Sequence, residues 1–132
     1  LIAGSALAAK YFGSNCSVIG TEPFEVDDAY RSLISGKIET NITTNTIADG
    51  LRTQLGDKNF PIILNEVKKI IRITEDEIID SMKLIWQRLK IICEPSCSLP
   101  LAGVLKNKDN FKGKKIGIII TGGNIDLYNL PF

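Results

Sequence analysis

Apolar positions recur at a helical interval most clearly between Ile78 and Leu89. Ile78, Met82, Ile85 and Leu89 follow one another at four, three and four residues and lay a stripe along one helix face. Thr74-Glu75-Asp76-Glu77, just ahead of it, has Thr at the cap and Glu three residues on, the pattern of a capping box. Residues 1–12 are rich in Ala and Leu and predict a helix packed closely on a sheet, stopped by Gly13-Ser14-Asn15. Short apolar, β-prone runs at Cys16–Thr21, Ile70–Ile73 and Ile116–Ile120 predict strands, the last of them buried on both faces. Pro23 opens a helix that runs to about Ile34 and ends at Ser35-Gly36. Residues 37–50 form a polar loop, and Asn59-Phe60-Pro61 introduces a helix to about Lys68. Residues 99–107 predict a further helix, with Pro100 in its first turn. Helices alternating with short apolar strands indicate an α/β fold with a mostly parallel sheet flanked by helices.

At 132 residues the chain is about one domain's worth. Sixteen basic against fifteen acidic residues leave a net charge of +1, so nothing marks the chain as a nucleic-acid binder. Its apolar runs fall far short of the ~20 residues needed to span a bilayer. There is no His, which excludes mechanisms that need an imidazole base or ligand from this chain. The chain opens at Leu1-Ile2-Ala3-Gly4 without an initiator Met, which leads us to expect a piece of a longer polypeptide. Three unevenly spaced cysteines, Cys16, Cys93 and Cys97, argue for a reducing compartment, the cytoplasm, and Cys93 and Cys97 read as buried small residues.

Three segments can carry chemistry. Ile116–Asp126 (IGIIITGGNID) would deliver a hydroxyl and two glycines at the carboxyl end of a strand, where α/β sheets bind ligands. On the residues alone it is equally a plain strand-to-loop turn. Glu22-Pro23-Phe24-Glu25-Val26-Asp27-Asp28 crowds carboxylates at a strand-to-helix junction. That suits a hard cation, but on the residues alone it reads better as charge complementing a helix N-terminus. Glu94-Pro95-Ser96 holds a carboxylate between a strand and a helix start, where by itself it reads as a cap.

Taken together and in this order, Glu22-Pro23 with Asp27-Asp28, Thr46-Ile47-Ala48-Asp49-Gly50, Thr74–Ile78, Glu94-Pro95-Ser96 and Gly122–Asp126 resemble the serine racemase and serine/threonine dehydratase family. These are fold type II enzymes that use pyridoxal phosphate. The resemblance covers essentially the whole chain. It implies that residues 1–132 are the C-terminal half of the large cofactor-binding domain, with the Schiff-base lysine, small domain and tetraglycine phosphate loop upstream. It also implies that these residues alone are inactive. Thr121 matches the hydroxyl that meets the pyridine nitrogen, Gly50 a backbone contact beside the ring, and Glu94 a position beside the pocket. Glu22, the Val26 carbonyl and Asp28 match a Mg²⁺ or Ca²⁺ site, against the reading from the residues alone. Lys90 and Asn124 match the nucleotide interface of the racemase branch, which implies ATP as an activator. The implied protein is a cytoplasmic homodimer acting on L-serine, D-serine or L-threonine, with no nucleic-acid or membrane partner. It abstracts the α-proton and then either reprotonates the other face or eliminates the β-hydroxyl to give a 2-oxo acid and ammonia. Threo-3-hydroxyaspartate ammonia-lyase of the same family, or a non-catalytic nucleotide- and cation-binding module, are the alternatives. The sequence departs from the family pattern at Cys97 and Pro100, where relatives usually have Gly.

Overall fold

The computed structural model describes the whole chain, residues 1–132. Two parallel strands, β1 (Val18–Pro23) and β2 (Val67–Ile73), form the sheet. Around them lie α1 (Ile2–Phe12), α2 (Asp28–Ser35), α3 (Phe60–Glu66), α4 (Glu75–Leu89), α5 (Pro95–Lys106) and the single turn α6 (Lys108–Phe111). A 3₁₀ turn spans Asp49–Leu51. No helix is long and apolar enough to cross a membrane.

Side chains of β2 alternate between the two faces of the sheet, and the core divides accordingly. Ile70 joins Ala3, Ala6, Ile63 and Val67 under α1 and α3. Ile71 and Ile73 join Ala48, Ile78, Leu99 and Ala102 on the other side, under α4 and α5. Ile73 and Ile78 are fully buried, and each contributes roughly 2 kcal/mol by leaving water. Helix α5 lies so close to β1 that a Cβ on Gly103 would stand 2.6 Å from Thr21 Cγ2, so any larger residue would push the helix off the sheet. A third cluster, Met82, Ile85, Cys93 and Cys97, packs beneath Ile120 and Ile125 and supports the segment that carries the candidate site.

The capping box at Thr74 forms as expected. Thr74 Oγ1 accepts from the Glu77 N–H, and Glu77 Oε2 accepts from the Thr74 N–H. The stripe above it is buried through Ile85, but Leu89 is 56% exposed, because α4 ends there on a left-handed Lys90. Gly36 closes α2 in the left-handed conformation.

Four expectations need correction. Helix α2 begins at Asp28 rather than at Pro23, because Pro23 still pairs with Ile73 in the sheet and Phe24 donates its N–H to the Ile73 carbonyl. Pairing with β1 also extends β2 back to Val67, which shortens α3 to Glu66. Helix α5 starts at Pro95, so Pro95 takes the first-turn position and Pro100 lies inside the helix, without an N–H for the Ser96 carbonyl. Neither Ile116–Ile120 nor the residues leading into Glu94 form a strand. An apolar run favours extended backbone but becomes a strand only beside a partner. The 116–120 backbone has none, and Ile116 and Ile119 stay 43% and 55% exposed.

Candidate functional site

Three irregular segments meet at the N-terminus of α5. The first holds the 3₁₀ turn. Gly50 donates its N–H to Ser96 Oγ at 3.1 Å as well as to Asp49 Oδ1 at 2.8 Å, which ties that turn to the first turn of α5. The same loop is held from behind. Ile47 donates to Glu75 Oε2 at 2.8 Å, and the Arg52 guanidinium clamps the Thr46 carbonyl at 2.6 and 3.1 Å. Glu75 Oε1 is buried there without a partner.

The second and third segments are Glu94 and the turn Thr121–Asn124. Glu94 donates its backbone N–H to the Gly122 carbonyl at 3.1 Å, and its Oε2 accepts from the Asn124 N–H at 3.0 Å. Glu94 is the N-cap residue of α5, yet its side chain caps nothing in that helix. The carboxylate is turned outward onto the glycine turn, which goes against the capping role its position alone suggested. A Cβ on Gly122 would lie 3.2 Å from Glu94 Oε1, and one on Gly123 only 2.6 Å from the Ile92 carbonyl oxygen. Thr121 is exposed, and its hydroxyl has no partner within the chain. Gly50, Glu94 and Thr121 are therefore brought to one place, with Ser96 linking the first two, and the free hydroxyl stands at its edge.

The acidic cluster lies elsewhere, at the carboxyl end of β1. Glu22 accepts the Ala29 and Tyr30 N–H groups at 3.2 and 2.9 Å, so it does serve the N-terminus of α2 as the residues alone suggested. Asp28 Oδ2 accepts from Leu55 N–H at 2.7 Å. Asp27 is neutralised by Arg31 at 2.7 Å and Arg72 at 3.1 Å, with the Arg72 guanidinium 4.3 Å from each of the Phe24 and Tyr30 ring centres. Glu22 and Asp28 have no such cation. Burial and the neighbouring Asp28 and Asp27 charges push the Glu22 carboxyl up to about 8, even though two N–H groups oppose the rise. No backbone N–H reaches the Val26 carbonyl. Nowhere do three or more His, Cys, Asp or Glu gather as metal ligands. Carboxylate and carbonyl oxygens are the groups that Mg²⁺ and Ca²⁺ take, with water completing the shell.

Lys90 and Asn124 share no hydrogen bond. Lys90 closes α4, and Asn124 is held through its backbone by Glu94. Cys93 and Cys97 are free and buried, as expected, while Cys16 is free and exposed. Burial and the adjacent Cys97 raise the Cys93 thiol to about 11, so it is protonated at neutral pH. No pattern in the chain signals that the Cys97 thiol would reach the Gly122 carbonyl, a contact between residues twenty-five positions apart.

The pyridoxal-phosphate dependent enzyme family model matches residues 1–122. A serine racemase of Dictyostelium discoideum is 48% identical over 134 residues, which are 98% of this chain and 41% of that protein. A beta-hydroxyaspartate dehydratase of Paracoccus denitrificans is 43% identical over 132 residues, 100% of this chain and 42% of that protein. Among solved structures, a maize serine racemase superposes with a TM-score of 0.91 at 41% identity, over 97% of this chain and 40% of its own. The chain thus spans about two fifths of the length of the curated relatives it matches.

Proposed function

Because the chain belongs to the pyridoxal-phosphate dependent enzymes, we propose that it is the C-terminal half of the large domain of a serine racemase or serine/threonine ammonia-lyase. The observation that carries this reading is the meeting of Gly50, Glu94 and the Thr121 turn at the start of α5. When bound, the cofactor supplies an electron sink for the charge that develops at the substrate α-carbon. The chain's own share is to seat it. Thr121 offers the ring nitrogen a neutral hydroxyl, which unlike a carboxylate does not favour the protonated ring. Gly50, where a Cβ would stand 3.0 Å from Ser96 Oγ, keeps the 3₁₀ turn close against α5 beside the ring, and the Glu94 carboxylate holds the glycine turn. These residues fit the group, since the unpartnered Thr121 hydroxyl supplies the polar contact a ring nitrogen needs.

The same reading assigns Glu22, Asp28 and the Val26 carbonyl to Mg²⁺ or Ca²⁺, Lys90 and Asn124 to a nucleotide such as ATP, and the assembled protein to a cytoplasmic homodimer. The reading is supported by Glu22 and Asp28 having no ion pair, whereas Arg31 and Arg72 both reach Asp27. The test of the whole reading is Thr121→Val in the full-length protein. The variant keeps the shape and removes the hydroxyl, so cofactor affinity and turnover of L-serine should both fall by roughly an order of magnitude, as expected for one lost hydrogen bond. Unchanged affinity and unchanged product ratio would leave Thr121 as a plain loop residue.

A second reading, threo-3-hydroxyaspartate ammonia-lyase, is favoured by the 43% identity to the Paracoccus dehydratase. Comparing turnover of L-serine and threo-3-hydroxyaspartate by the full-length protein separates the two.

A further inference from the structure

Thr121 has no bond of its own to hold it, so its position depends on the turn that follows. Three contacts fix that turn. The Cys97 thiol lies 2.9 Å from the Gly122 carbonyl and 3.3 Å from the Glu94 carbonyl, so its single proton is offered to both. The Glu94 N–H reaches the same Gly122 oxygen at 3.1 Å, and the Asn124 N–H closes the far side on Glu94 Oε2 at 3.0 Å. The turn is seated just as tightly from below, where Gly123 leaves no room for a Cβ over the Ile92 carbonyl. Cys97 is 2% exposed and belongs to the rigid first turn of α5, whereas residues 116–121 make no backbone hydrogen bond.

We propose that Cys97, together with Gly122 and Gly123, forms a clasp that fixes the position of the Thr121 hydroxyl for a ligand. Cys97 is thus a positioning residue, acting on the site through the Gly122 carbonyl. This rests on the reading of Thr121 as the partner of the ring nitrogen. Where relatives usually have Gly, this chain places a donor at residue 97 whose thiol reaches the Gly122 carbonyl. A thiol is a weak donor and a hydroxyl a stronger one. Cys97→Ser should therefore keep the clasp, and Cys97→Ala should open it.

The experiment compares wild type, Cys97→Ala, Cys97→Ser and Thr121→Val in the full-length protein. Two readouts are taken: hydrogen exchange of the Asn124 and Glu94 amides in the cofactor-free form, and the Kd and absorption spectrum of added pyridoxal phosphate. We expect Cys97→Ala to speed exchange at both amides by about three- to tenfold, the worth of one weak hydrogen bond. The same variant should raise the cofactor Kd by a similar factor, and Cys97→Ser should restore both. Unchanged exchange in Cys97→Ala overturns the clasp, whatever the cofactor does. Faster exchange with an unchanged Kd, while Thr121→Val does weaken the cofactor, overturns the positioning role and leaves the Thr121 reading intact. If Thr121→Val is also without effect on Kd or spectrum, the Thr121 reading fails and takes the positioning role with it.

Discussion

Glu77 ties three elements together, and its removal has a magnitude that can be worked out. Its Oε2 accepts the Thr74 N–H at 2.9 Å and the Lys106 ammonium at 2.8 Å, and Lys106 also donates to the Arg72 carbonyl at 3.0 Å. The end of β2, the start of α4 and the end of α5 therefore share one carboxylate. The reciprocal cap is worth about 1 kcal/mol. The Lys106 pair is about one third exposed, so solvent screening limits it to about 0.5 kcal/mol. Glu77→Ala should thus destabilise the full-length protein by about 1–2 kcal/mol, or lower its Tm by roughly 2–3 °C. Glu77→Gln keeps a neutral acceptor for the Thr74 N–H and loses only the charge, so it should cost about 0.5 kcal/mol. Partial burial alone would raise the Glu77 carboxyl, but Lys106 and the Thr74 N–H outweigh it and hold the group below its usual 4.5. A depressed folded value means the stabilisation is complete above pH 4.5 and is lost as pH falls through that lower value. In thermal melts, wild type and Glu77→Gln should therefore differ at about pH 7 and converge as the pH falls below the usual carboxylate range. Equal losses in the Ala and Gln variants, or a wild-type-to-Gln gap that ignores pH, would refute the assignment of the two contributions.

Glu22→Gln should weaken the rise in Tm that Mg²⁺ or Ca²⁺ gives the full-length protein, because binding to the native state stabilises it by mass action. Equal cation-dependent shifts in wild type and variant would rule that site out. On the proposed reading the Schiff-base lysine lies outside residues 1–132. These residues alone, with cofactor added, should therefore produce neither D-serine nor 2-oxo acid from L-serine, and measurable product from the purified 132-residue chain would sink the proposed mechanism.

What was legible in the sequence is what depends on neighbours in the chain. The Thr74 capping box and the stripe from Ile78 to Ile85 are set by contacts three and four residues apart, and both are present as read. The burial of Cys93 and Cys97 followed from their chemistry as small apolar groups. Apart from the start of α5, the errors lie where a distant partner decides. Pairing with β1 took Val67 and Lys68 from the predicted helix end into β2, and the same pairing kept Pro23 in the sheet. Ile116–Ile120 has the composition of a strand but no strand beside it. In the acidic cluster the sequence showed the charges but not which of them are neutralised. Arg72 reaches Asp27 across forty-five residues, while the Glu22 and Asp28 carboxylates accept only from N–H groups.

The candidate site is built from the least regular parts of the chain, and this raises the question of what makes it definite. Loops carry function because a rigid scaffold fixes them, not because of their own propensity. Here the scaffold is a single helical turn. Pro95 enters α5 where its missing N–H costs nothing. Ser96 takes the Gly50 loop, Glu94 takes the Asn124 amide, and Cys97 takes the Gly122 carbonyl. Four consecutive residues thus hold two loops that are some seventy positions apart in the chain, each through a bond of modest strength. Such an arrangement loses geometry before it loses stability. Substitutions at Ser96 or Cys97 should therefore register in ligand affinity and amide exchange well before they register in Tm. Those at Glu77, which Lys106 ties to the far end of the same helix, should do the reverse.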